Sequence, residues 1–148
     1  MSSEHGEKLK PQKEAVIFLV YDKNKNSVWL EERLKPNSGY FGYTIIPGGG
    51  VESYDTSTEV TVYREAKEEL NINVTHLVYL GSAIDASFSG DGIKKNHMYL
   101  VDEFEGKVVC QEPEKARIFE VPISEAEQYL EIASSQLVLM KAIEKLKL

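Results

Sequence analysis

Residues 47–72 read PGGGVESYDTSTEVTVYREAKEELNI. The first part is loop-like, with Pro47 leading into Gly48, Gly49 and Gly50. Three glycines in a row allow left-handed backbone conformations and a close approach to a ligand. The second part has helical spacing. Ser57 or Thr58 suits the cap of a helix running to about Leu70. On that helix, residues three and four apart share a face, so Glu65, Glu68 and Glu69 form one narrow acidic stripe flanked by Arg64. Val62, Tyr63, Ala66 and Leu70 fall on the other side and are expected to face the core.

Three carboxylates at this spacing repel one another, by a few tenths of a kcal/mol per pair on a bare helix. A hard divalent cation turns that repulsion into binding. Carboxylate oxygens suit Mg²⁺ or Mn²⁺, and such a site keeps room for water and phosphate oxygens. Backbone carbonyls of the glycine segment are further oxygen donors. The plain alternative is a solvated acidic face after an ordinary glycine turn, the commoner meaning of either feature alone. The combination at fixed spacing argues for the metal.

Outward from this segment, Ala15–Tyr21 is a short apolar run of strand formers. Asp22–Asn26 is a turn by composition, and Ser27–Arg33 resumes as a strand, which makes a hairpin. Residues 34–56 read mostly as loop. Asn73–Ala83, His97–Phe104 and Ala116–Val121 read as further strands, with a Gly- and Ser-rich loop over residues 85–96. Ser124 is expected to cap a short helix, and an amphipathic helix covers Gln136–Leu148, with Leu137, Met140 and Ile143 on its apolar stripe. Strands and helices mix without regular β-α-β alternation, so an α+β fold is expected.

The bulk properties exclude several classes. With 148 residues, one compact domain fits. Residues 1–13 read as a flexible leader and 14–148 as a single domain. The formal net charge of −7 disfavours nucleic acid and anionic membranes as partners, though not a small anion held through a metal. No apolar run is long enough to span a bilayer. Cys110 is the only cysteine, so no internal disulfide forms, which suits a reducing cytoplasm.

The motif in residues 47–72 resembles the Nudix box of the MutT-like hydrolases, G-x5-E-x7-R-E-U-x-E-E-x-G-U, where U is a bulky aliphatic residue. Gly49, Arg64, Glu65, Glu68, Glu69 and Ile72 match it. The strand hairpin and GYFGYTIIPGGGVE ahead of the helix are similar too, and the resemblance runs from Glu14 onward. It implies an α/β/α sandwich with a mixed central sheet. It implies Mg²⁺, with Mn²⁺ as a substitute, held by Glu65, Glu68, Glu69 and the Gly48 carbonyl. Arg64 would orient a carboxylate rather than touch substrate.

Four departures stand out. Asp55 occupies the place of the first Glu, eight residues instead of seven separate it from Arg64, Ala66 replaces the aliphatic residue, and Asn71 replaces the final Gly. The extra residue is expected near Thr56-Ser57-Thr58, ahead of the helix, which keeps the acidic stripe in register. Asn71 is a mild change, because Asn tolerates the left-handed conformation of a helix end.

The activity implied is cleavage of a pyrophosphate bond in a nucleoside diphosphate linked to another moiety. A nucleoside triphosphate, oxidised ones included, is the leading substrate by resemblance, since markers of the ADP-ribose and dinucleoside polyphosphate subgroups are missing. Glu65, Glu69 and Glu112 are the expected catalytic carboxylates, with Glu114 the other loop acid considered. Arg33, Phe88, Gly49 and Gly50 are the expected substrate-binding residues. Ser87–Gly92 could form a lid, and Tyr40, Phe41 and Tyr99 could stack on a base. For Tyr99, core packing is the stronger expectation, and His97 reads as a strand-end residue. The alternative function is a non-catalytic Nudix-fold module that binds a nucleotide or a partner. Either a monomer or a homodimer fits.

Overall fold

The computed structural model describes residues 13–86 and 93–148. In chain order the elements are β1 (Lys13–Asp22), β2 (Ser27–Arg33), β3 (Thr44–Ile45), β4 (Gly48–Gly50), α1 (Thr58–Leu70), β5 (Asn73–Ala86), β6 (Ile93–Glu105), β7 (Ala116–Pro122), a 3-10 helix (Ile123–Tyr129) and α2 (Ala133–Leu146).

β1 organises a mixed sheet. It runs parallel to β6 from Lys13↔Lys94 to Val20↔Val101, and antiparallel to β4 from Ala15↔Gly50 to Ile17↔Gly48. Its last residues pair with β2 as a hairpin, Tyr21↔Val28 and Asp22↔Ser27. β2 then carries β3 and β7, while β5 pairs with β6. The apolar run of β1 is continuous because both its faces are covered. Val16, Phe18 and Val20 meet Val62, Ala66 and Leu70 of α1. Leu19 and Tyr21 meet Val138, Leu139 and Ala142 of α2. The result is the expected α/β/α sandwich.

Several local expectations change. Lys13, placed in the leader by sequence, is already the first residue of β1. The segment 34–56 contains β3 and β4, and the glycine triplet is one of these strands. None of its three glycines has a positive φ; Gly42, Gly81 and Gly106 do. Residues 85–86 and 93–96 extend β5 and β6, because the ladder between them continues to Ala86↔Ile93. Ser124 does not cap a helix: Pro122 precedes the 3-10 helix, and no side chain caps it. α2 starts at Ala133, earlier than expected, after an equally uncapped Ile132. Tyr63 points outward with 42% of its surface exposed, so the buried stripe of α1 is narrower than the sequence suggested.

The ends of α1 follow the sequence closely. Ser57 accepts a hydrogen bond from Val60 N–H, and Asn71 closes the helix at φ 60° and ψ 33°. Asn71 N–H bonds the Lys67 carbonyl and Ile72 N–H the Ala66 carbonyl, which satisfies the last turn. Asn71→Ala places a Cβ residue without a local hydrogen-bonding side chain in that conformation. It is expected to cost about 1 kcal/mol, and Asn71→Gly to cost nothing. The measurement is thermal unfolding, where the alanine variant should melt roughly 2–4 °C lower. Equal midpoints for both variants would refute a conformational role for this position.

Candidate active site

The segment after β4 is tied together by one guanidinium. Arg64 Nε donates to Asp55 Oδ1 (3.0 Å) and Nη2 to Asp55 Oδ2 (2.9 Å). Its Nη2 also donates to the Gly50 carbonyl (3.1 Å). Nη1 reaches Glu65 Oε1 (2.9 Å) and Glu68 Oε2 (3.2 Å). Bidentate pairing of this kind fixes geometry as well as charge. Asp55, shorter than the Glu it replaces, still reaches because the segment folds back on it: Glu52 N–H and the Thr61 hydroxyl both donate to Oδ2. These bonds, led by the one from Arg64, hold the Asp55 carboxyl well below the usual range. Arg64 is raised in turn, chiefly by Asp55. The guanidinium therefore orients carboxylates, as expected.

Glu65 is buried on α1, directly beneath Gly49. A Cβ on Gly49 would lie 2.3 Å from Glu65 Cδ, so this position is glycine because a carboxyl group takes the space. The Glu65 and Glu69 carboxyls act on each other's protonation. Burial raises Glu65 against the lowering influence of Glu69 and Arg64. Glu69 is pushed up to about 10, by burial first and then by the charges of Glu31, Glu65 and Glu112. Its Oε2 is buried without a hydrogen-bond partner among the described residues.

Glu112 belongs to the same place. Gln111 N–H bonds the Glu69 carbonyl and Val109 N–H the Leu70 carbonyl (both 3.0 Å), which fastens the loop after β6 to the end of α1. Glu112 then lines a cleft of about 250 Å³ with Glu69, Glu31, Arg33 and Cys110. Its Oε2 pairs with Lys115 Nζ at 2.7 Å. Arg33 sits between this cleft and a larger one of about 340 Å³, which Gly48, Gly49, Gly50 and Tyr40 also line. Arg33 Nη1 pairs with Glu31 Oε2 (2.8 Å), while its buried Nε has no hydrogen-bond partner among the described residues.

Glu31 was not anticipated. Only 4% of its surface is exposed, and it lines both clefts. In sequence it looks like the polar end of a strand; its one signal is the Glu31/Arg33 spacing, which puts both on one face of β2.

The other expected residues divide. Glu68 turns to Arg64 and lies half-exposed. Among the described residues, the acids of α1 do not bring three ligand atoms within 4.8 Å of one another; His76, Asp102 and Glu103 on β5 and β6 do. Tyr99 is a core residue whose hydroxyl meets Thr58 Oγ1 (2.5 Å). Phe41 is exposed and lines neither cleft, and His97 pairs with Glu14 (3.0 Å). Phe88 and the loop Ser87–Gly92 lie outside the described residues.

The donor set fits a hard divalent cation. It consists of carboxylate oxygens with strand carbonyls nearby, and one buried oxygen lacks a partner. A site of this composition can gather phosphate oxygens around an ion and still offer a carboxylate to a water molecule.

Comparison with known proteins agrees. The NUDIX domain model matches residues 10–142, and the chain belongs to the Nudix family. A Nudix hydrolase NudL of Photorhabdus laumondii is 32% identical over 118 residues, which are 76% of this chain and 59% of that protein. The NudL of Citrobacter koseri is 28% identical, covering 82% of this chain and 63% of that one. The chain thus spans about three fifths of the length of these curated relatives. The MutT NUDIX hydrolase of Burkholderia pseudomallei shares the fold with TM-score 0.76 at 20% identity, covering 89% of this chain and 98% of that one. The NUDIX domain of Shewanella oneidensis NrtR, solved with ADP ribose, gives 0.77 at 18% identity over 99% of both chains.

Proposed function

We propose that this chain is a magnesium-dependent hydrolase that cleaves a pyrophosphate bond in a nucleoside diphosphate linked to another moiety, with a nucleoside triphosphate as its substrate. The observation that carries this reading is Glu69. A carboxyl group set among three other acids, with one buried oxygen unpaired, either keeps a proton or is matched by a cation, and a cation would let it carry its charge in the working state. Glu65 and Glu69 would hold Mg²⁺, or Mn²⁺ in its place, with Glu68 and the Gly48 carbonyl as further donors. The ion supplies charge neutralisation at the phosphates and a lower pKa for bound water.

The chain supplies the rest. Arg64 keeps Glu65 in place under Gly49. The unpaired Nε of Arg33 donates to a phosphate oxygen, and Gly49 and Gly50 let the substrate approach the backbone. Phe88 is a further proposed contact. Water adds across the P–O–P bridge, forming one P–O bond as the bridging bond breaks. Glu65, Glu69 and Glu112 are the proposed acceptors of its proton, and Glu69 and Glu112 line the same cleft. The single free thiol of Cys110 is compatible with a cytoplasmic site of action. Among the described residues, no helix is long and apolar enough to cross a membrane.

The test is a screen of nucleoside triphosphates, diphosphate sugars and dinucleotides with Mg²⁺ or Mn²⁺, with products identified by mass. Turnover that stops on adding chelator is expected. Tight Mn²⁺ binding without turnover would favour the non-catalytic module, and weak Mn²⁺ binding would leave only a solvated acidic helix.

A further inference from the structure

Glu31 lies inside the sheet, paired with Ile45 of β3 on one side and Ile118 of β7 on the other. Its side chain is 5% exposed, and Oε2 meets Arg33 Nη1 at 2.8 Å. Taking a carboxylate out of water is expensive, and a single ion pair rarely repays that cost as stability. Apolar residues would hold this part of the sheet together at least as well. The pair therefore calls for a use other than stability.

Arg33 is the outer member of the pair. It lies two residues along β2 on the same face, keeps 27% of its side chain exposed, and lines both clefts. Its backbone is held on both sides. It pairs with Ala116 of β7, its N–H bonds the Tyr43 carbonyl, and its carbonyl accepts from Gly42 N–H (both 3.0 Å). With the main chain fixed, the side-chain torsions are the freedom that remains, and Glu31 restricts them. A guanidinium is a rigid planar fork, so anchoring Nη1 constrains where the other nitrogens lie. The buried Nε, without a hydrogen-bond partner among the described residues, fits a fork that is pinned at one end and cannot turn to satisfy the rest.

Resting on the reading proposed above, we infer that Glu31 is a positioning residue: through Nη1 it holds the Arg33 guanidinium ready for the substrate phosphates before the substrate arrives. An untethered arginine loses its rotamer freedom at the moment of binding, whereas a tethered one has lost it on folding. Glu31 also acts through its charge, since it is one of the acids that raise Glu69. The two roles predict opposite variants. Glu31→Gln keeps the length and an oxygen for Nη1 but removes the charge. Glu31→Asp keeps the charge but is one methylene shorter and loses the reach.

Both variants leave a polar group beside Arg33, so the fold is expected to survive. Kinetics are measured with Mg²⁺ and each of ATP, GTP, CTP and UTP that is turned over. Glu31→Asp should raise KM about five- to tenfold, the cost of ordering one long side chain at binding. Its kcat should stay within about threefold, as for the loss of uniform binding, and Glu31→Gln should stay within about twofold of wild type in both constants. The second measurement is NMR of the Arg33 Nε–H signal, assigned by its loss in Arg33→Lys. Methylenediphosphonate, whose P–C–P bridge resists hydrolysis, should shift this signal in the presence of Mg²⁺. Glu31→Asp should need about five- to tenfold more of the compound for the same shift. Glu31→Gln as impaired as Glu31→Asp, Glu31→Asp indistinguishable from wild type, a fall in kcat at constant KM, or a signal that the compound does not move overturns the positioning role and leaves the hydrolase reading standing. If no nucleotide is turned over, that reading falls and the NMR titration alone decides. A shift weakened in Glu31→Asp but not in Glu31→Gln then supports the role, and any other pattern overturns it.

Discussion

Glu69→Gln is expected to lower turnover on the order of 10³-fold at saturating Mg²⁺ while leaving the fold intact. Glutamine has nearly the same shape and can still donate to Glu65, so packing should survive. What disappears is the charge that a cation would meet. The same substitution should change how stability depends on pH. Without metal, the folded state holds the Glu69 proton up to about pH 10, against an ordinary value of 4.5. The folded chain thus binds this proton more tightly than the unfolded chain. Its contribution to stability is full below about pH 4.5 and is lost progressively as pH rises toward 10. The metal-free wild-type chain should therefore melt at falling temperatures from pH 5 to pH 9, and Glu69→Gln should flatten that slope. Mg²⁺ competes with the proton for the same oxygens, so it should raise the wild-type midpoint more at pH 8 than at pH 5. Thermal melts across pH, with and without Mg²⁺, read all three effects. Turnover within about threefold of wild type, or parallel melting slopes for the two proteins, would remove Glu69 from the site.

The parts of the site that were legible in the sequence are those fixed by local geometry. A 3.6-residue period placed Glu65 and Glu69 together, and the helix ends at Ser57 and Asn71 follow from backbone hydrogen-bonding needs within a few residues. The extra residue after Asp55 was absorbed before the helix, as expected, because Arg64 still closes on Asp55. What the sequence concealed depends on distant partners. Glu31 is buried because β2 lies among β3, β7 and the end of α1, and nothing within SVWLEER announces a cavity. The triplet Gly48–Gly50 looks like a flexible turn because glycine is common there. Its strand conformation is imposed by pairing with β1, from Ala15↔Gly50 to Ile17↔Gly48, a partner far back in the chain that no local pattern announces. Tyr63 was placed inside by period alone, yet the core side of α1 is filled by Val62, Ala66 and Leu70.

That triplet supplies the second large effect, because three adjacent glycines should answer to alanine in three different ways. A Cβ on Gly48 would lie 2.3 Å from the Val16 carbonyl oxygen and 3.3 Å from Ile17 Cα. Both are backbone atoms of the central strand and cannot move aside. Gly48→Ala should therefore destabilise by about 3 kcal/mol, at the upper end of overpacking costs, and lower the melting midpoint by roughly 10 °C. The three atoms nearest a Cβ on Gly49 all belong to the carboxyl end of Glu65, at 2.3–2.7 Å. A side-chain end can swing away, so stability should change little. The swing breaks the 2.9 Å contact with Arg64 and displaces a proposed ion ligand, so turnover should fall on the order of 10²-fold. At Gly50 the space is open and φ is not positive. Alanine there should leave stability within about 0.5 kcal/mol, and a raised KM at constant kcat would mark a substrate lying against that backbone. The contrast between the first two variants separates a fold requirement from a site requirement at neighbouring positions. If Gly49→Ala retains wild-type turnover, the carboxyl beneath it is not needed where it sits, and the glycine there is explained by packing alone.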